Sequence, residues 1–76
     1  MREKIKELLE EIEPGIDYEG SDALMDDGII DSFFTIQLVG KLMEEYGIEL
    51  DPEEIVSENF NSLDAISDLV KKHGGI

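Results

Sequence analysis

The sequence predicts an all-α domain in which three longer helices and one short one pack as a small bundle, with a long loop between helices one and two. Three observations carry this. Apolar residues recur at helical spacing in three separate blocks, start and stop signals bracket those blocks, and no alternating strand pattern occurs along the chain. With 76 residues, residues 1–76 form a single domain near the size at which one core becomes marginal. The chain has no cysteine, so neither a disulfide nor a thiolate metal site staples it.

The elements follow in order. Ile5, Leu8, Leu9 and Ile12 take the i, i+3, i+4, i+7 spacing of one helix face, and Glu13-Pro14-Gly15 ends that helix. From Ile16 to Asp31 no period is sustained. The scattered apolar residues Ile16, Tyr18, Leu24, Met25, Ile29 and Ile30 predict a long loop pinned to the core, and loops this long in small domains are usually functional. The second helix is predicted from about Ser32 to Tyr46, with Gly47 as its stop. Asp51-Pro52-Glu53-Glu54 then reads as a capped start with proline at the first position, opening a short helix over Glu53 to Ser57. Asn61 or Ser62 opens the last helix, whose apolar positions are Leu63, Ile66, Leu69 and Val70. Lys71, Lys72 and His73 close it against the negative dipole end, before Gly74-Gly75.

Charge narrows the function classes. The formal net charge is -14, and between Glu7 and Val70 the only basic residue is Lys41. Such a surface repels phosphate backbones, which excludes nucleic acid as a partner, and it steers proteins with basic patches toward the domain. A hydrophobic content of 41% in periodic blocks is too high for a disordered chain. The start, Met1-Arg2-Glu3-Lys4, lacks the apolar run of a signal peptide, and no later segment approaches a membrane span. A cytoplasmic monomer is the expectation.

The second helix has two apolar faces. At 100° per residue, Thr35, Leu38, Val39, Leu42 and Tyr46 share one arc that serves the core. Phe33, Ile36 and Gly40 point largely the other way, with Met43 at the border, and this strip beside Ser32 is the candidate docking surface. Ser32 itself stands where an acidic loop becomes a helix. Its hydroxyl can cap the helix, or it can carry a phosphate-linked group whose charge the helix end stabilises.

Other chemistries lack their residues. The only histidine, His73, lies in a glycine-flanked tail, where exposure is the expectation, and no hydrolytic triad assembles around it. One His and no Cys cannot make a zinc site. An EF-hand frame with Gly28 at the invariant glycine puts Ala23 at the first ligand and Phe34 at the bidentate carboxylate, so it fails twice. No Walker-type glycine loop is present. The expectation is a non-catalytic protein without a metal site.

These residues together resemble the acyl carrier protein family. The resemblance spans essentially the whole chain: the helix-one stripe, the long loop, Gly28-Ile29-Ile30-Asp31-Ser32-Phe33, then Leu38-Val39, Leu42, Tyr46-Gly47-Ile48-Glu49-Leu50, Glu53-Glu54-Ile55 and Glu58-Asn59-Phe60. It implies an acyl-carrier-like four-helix bundle. It further implies that Ser32, flanked by Asp31 of the motif, bears 4′-phosphopantetheine derived from coenzyme A, whose thiol holds cargo as a thioester. The implied partners are a phosphopantetheinyl transferase, an adenylate-forming ligase or acyltransferase that loads the arm, and a downstream transferase or synthase.

The match departs from one branch. Carriers of bacterial fatty acid synthesis usually continue Asp-Ser-Leu-Asp and place a glutamate three residues further on, where this chain has Phe33, Phe34 and Gln37. Asp31-Ser32-Phe33-Phe34-Thr35 looks closer to D-alanyl carriers, and Gln37-Leu38-Val39 is similar to peptidyl carrier domains. The resemblance therefore favours a dedicated aminoacyl or specialised acyl carrier. The alternative is an unmodified acidic helical interaction module that uses the Phe33/Ile36 strip.

Overall fold

The computed structural model describes residues 1–75. Its element order is α1 (Arg2–Ile12), α2 (Ser32–Tyr46), a 3₁₀ turn (Pro52–Glu54), α3 (Ser57–Phe60) and α4 (Leu63–Lys72). The described residues are all-helical without strands, as the sequence predicts. Helix α1 packs against α2 and α4, and α3 packs against α4.

The stripes seen in the sequence face one core. Ile5, Leu8 and Leu9 enter it from α1, Phe34, Leu38, Val39 and Leu42 from α2, and Leu63, Ile66, Leu69 and Val70 from α4. The long loop contributes Tyr18, Leu24 and Ile30, all fully or almost fully buried, while Ile16, Met25 and Ile29 pack at its edge. Burying three such side chains stabilises the loop by about 1.5–3 kcal/mol each for the aliphatic ones, which offsets part of the entropy of ordering so long a segment. The Tyr18 hydroxyl donates to the Glu13 carbonyl at 2.6 Å, tying the loop to the end of α1. Burial and the nearby Glu13 and Glu10 push the Tyr18 phenol above its ordinary pKa.

Local signals end the helices where the sequence places them. Gly47 takes the left-handed conformation (φ 64°), and its N–H donates to the Met43 carbonyl at 2.9 Å. At that φ a side chain is strained, which is the reason for glycine there. Of the two candidates for opening α4, Ser62 is the cap. Its Oγ accepts from the Ala65 N–H at 3.0 Å.

The short helix expected over Glu53 to Ser57 is not formed. Residues Pro52–Glu54 make a single 3₁₀ turn, Val56 is extended (φ -128°, ψ 156°), and the α-helical turn comes later, over Ser57–Phe60. The Glu54 carboxylate does reach back to the Asp51 N–H at 3.2 Å, as the capping signal implies. The β-branched pair Ile55-Val56 favours extended backbone over helix at this point. The break re-aims the chain so that Phe60 is fully buried, and the Asn59 amide donates to the Glu54 carbonyl that the break leaves open, at 2.9 Å.

His73 also departs from the sequence expectation. It is not an exposed tail residue: its side chain is 24% exposed, and Nε2 lies 2.6 Å from the Glu54 carboxylate, with Lys72 at 3.9 Å from the same oxygen. The hydrogen bond from His73, and next the Asp51 N–H, hold the Glu54 carboxyl below the usual carboxylate range.

Candidate functional site

The α2 start is built from two adjacent residues with different tasks. Asp31 is the N-cap: its backbone is extended, its Oδ1 accepts from the Phe34 N–H at 2.8 Å, and its carbonyl accepts from the Thr35 hydroxyl at 2.8 Å. A carboxylate at this position satisfies one orphan N–H and opposes the positive dipole end, worth about 1 kcal/mol. Ser32 is the first residue of α2 and is exposed. Helix geometry leaves the N–H groups of Ser32 and Phe33 without intrahelical acceptors. The capping reading thus passes from Ser32 to Asp31, and the Ser32 hydroxyl faces solvent free of that duty.

Two identical neighbours then part company. Phe33 is 72% exposed and Phe34 only 7%. Phe34 sits in the core with its ring centroid 6.1 Å from that of Tyr18 at a tilt of 49°. The spacing Phe34, Leu38, Leu42 is the signal that places it there, extending the core arc by one residue beyond Thr35. Of the strip residues, Ile36 is 60% exposed and Gly40 is open, with no neighbouring atom where a side chain would begin. Phe33, Ile36 and Gly40 follow at i, i+3, i+7, so the strip runs about 11 Å along α2. Met43 does not join it fully: it is half-buried and packs against the core. The long loop does not fold over Phe33 or Ile36.

Electrostatics around Ser32 are one-sided. The basic side chains ahead of the C-terminal Lys71-Lys72 pair are spent within the bundle, as Arg2–Asp64, Lys4–Glu45, Lys6–Glu19 and Lys41–Glu11 pairs. Among the described residues no ion pair involves Asp26, Asp27 or Asp31, all exposed. Asp31, which precedes Ser32 in the chain, is thus an exposed carboxylate outside these ion pairs, and Phe33, which follows it, is an exposed aromatic ring. No group of three or more His, Cys, Asp or Glu side chains among the described residues is arranged to hold a metal ion. Among the same residues, no helix is long and apolar enough to cross a membrane.

No family model, curated protein or solved structure matches this chain. The functional reading therefore stands on the residues and their geometry.

Proposed function

We propose that this domain is a covalent carrier, modified with 4′-phosphopantetheine on Ser32, that presents an acyl or aminoacyl cargo to partner enzymes. The observation that carries the reading is the division of labour at the α2 start, where Asp31 caps the helix and leaves Ser32 exposed beside Phe33 and Ile36. The residues fit such a group. The hydroxyl is accessible, and the free N–H groups of Ser32 and Phe33 with the helix dipole favour a phosphodiester there. The exposed Asp31 carboxylate beside Ser32 opposes that charge only weakly, because water and salt screen exposed charges. Covalent attachment makes that repulsion irrelevant to retention.

When bound, the group supplies a thiol that holds the cargo as a thioester, chemistry this cysteine-free chain lacks. The chain's own residues do the rest. Asp31 orients the helix start, Phe33 and Ile36 offer an apolar foothold, and Asp26 and Asp27 with Asp31 draw in a basic partner surface. The partners proposed are a phosphopantetheinyl transferase, a loading ligase or acyltransferase, and a downstream transferase or synthase. The Phe33-Phe34-Thr35 continuation favours an aminoacyl or specialised acyl cargo.

Intact-mass measurement after incubation with coenzyme A and a broad-specificity phosphopantetheinyl transferase tests the reading. A gain of one phosphopantetheinyl group, absent in Ser32→Ala, is the expected result. An unchanged mass in the wild-type protein would leave the unmodified interaction module as the better account.

A further inference from the structure

The loop that delivers the chain to Ser32 is organised from the far end of the sequence. Residues Leu24 to Gly28 form one tight turn, with the Asp27 N–H donating to the Ala23 carbonyl at 2.7 Å and the Gly28 N–H to the Met25 carbonyl at 3.1 Å. Like any helical turn, it leaves its first N–H groups without partners inside the turn. The partner comes from the junction of α3 and α4. Asn61 Oδ1 accepts from both the Met25 and the Asp26 N–H at 3.0 Å, Asn61 Nδ2 donates to the Asp26 carboxylate at 3.0 Å, and the Asn61 carbonyl accepts from the Leu24 N–H at 2.9 Å. Asn61 acts as an N-cap supplied across 35 residues of sequence separation. From Leu24 the chain of bonds continues forward. The Leu24 carbonyl accepts from the Ile30 N–H at 3.0 Å, Ile30 is buried, and Asp31 then caps α2.

We infer that Asn61 is a positioning residue for Ser32: by capping the 24–28 turn it fixes Ile30 and Asp31, and so the approach of the loop to the modified hydroxyl. The inference rests on the carrier reading for its functional half. Its chemistry is specific to an amide, because one side chain must accept two N–H groups and donate to a carboxylate at once. Alanine removes all three bonds. Asn61→Asp keeps the acceptor but sets two carboxylates against each other. Exchanging the pair, Asn61→Asp with Asp26→Asn, restores a donor facing an acceptor.

The test combines amide hydrogen exchange with the kinetics of phosphopantetheinyl transfer. In Asn61→Ala, exchange at Met25, Asp26, Ile30 and Phe34 should accelerate about tenfold or more, while Leu9 and Val70 exchange as in wild type. The transfer rate should fall about tenfold in kcat/KM, mostly in kcat, as expected for a misplaced reacting group. The Asp26/Asn61 exchange should recover at least half of that loss, where Asn61→Asp alone does not. Ile5→Val, which thins the core on α1, serves as the control for lost stability and should transfer at the wild-type rate. Acceleration confined to residues 24–26, normal transfer in Asn61→Ala, or failure of the exchanged pair to recover would each overturn the inference. If the wild-type protein accepts no phosphopantetheine, the carrier reading falls separately, and exchange at Ile30 and Phe34 still decides whether Asn61 sets the start of α2.

Discussion

The adjacent phenylalanines give the sharpest test of the α2 assignment. Phe34→Ala deletes a ring that is 93% buried and leaves a cavity beside Tyr18, at a cost of about 3–5 kcal/mol. A domain of 76 residues has a total stability of about 4–11 kcal/mol, so this variant loses a large share of it. With an m-value of about 1 kcal/mol/M in urea for a protein this small, the midpoint falls by about 3 M or more. Phe33→Ala removes a ring that is mostly in water already, and its stability should stay within about 0.5 kcal/mol of wild type. Its cost should instead appear in partner binding, about 2 kcal/mol for an aromatic anchor, or roughly a thirtyfold loss of affinity. The assay is urea unfolding of both variants followed by far-UV circular dichroism, beside the rate of modification and loading of Phe33→Ala. Severe unfolding of Phe33→Ala would refute its docking role, and unchanged stability with unchanged loading would leave it neither role.

Other expectations follow from the same geometry. Ser32→Ala should abolish the mass gain yet change stability by less than about 0.5 kcal/mol, whereas Asp31→Ala, which loses the cap, should cost about 1 kcal/mol; modification surviving in Ser32→Ala would sink the assignment. Added salt should raise the melting temperature, because screening relieves repulsion among the acids, and each 1 kcal/mol relieved corresponds to about 4–8 °C; a scan from low to physiological ionic strength checks it. The Glu54 carboxyl is lowered in the folded state by His73 and the Asp51 N–H, so its stabilisation is present above the ordinary value of 4.5 and is lost as pH falls through the lowered folded value. Glu54→Gln should therefore melt below wild type near neutral pH, with the gap closing under acid, and a gap constant with pH would contradict this.

The three longer helices were legible in the sequence because their determinants are local. Ile5, Leu8 and Leu9 repeat within two turns, Gly47 supplies the left-handed stop, and the start of α2 reads directly from Asp31-Ser32. The apolar residues scattered through Ile16–Ile30 already implied a pinned loop, and Tyr18, Leu24 and Ile30 are its pins. Ser32 as a candidate came from its motif, and Phe33 and Ile36 as an outward strip came from helical phase.

Tertiary structure decided the rest. Which residue of an adjacent pair is buried depends on how α2 rotates against its neighbours, and a shift of one residue (100°) exchanges core for solvent. That rotation drew Phe34 in and left Phe33 out, and it turned Met43 toward the core. The break at Ile55-Val56 reflects where the bundle could bury Phe60, a demand outside the local capping signal at Asp51. The pairs that hold the loop before Ser32, Asn61 with Met25 and Asp26, and the pair that ties the end of α4 to the 3₁₀ turn, Glu54 with His73, join residues 19 to 36 apart. No periodicity or cap motif spans such distances, since hydrogen-bond partners that far apart are chosen by the packing that brings their elements together.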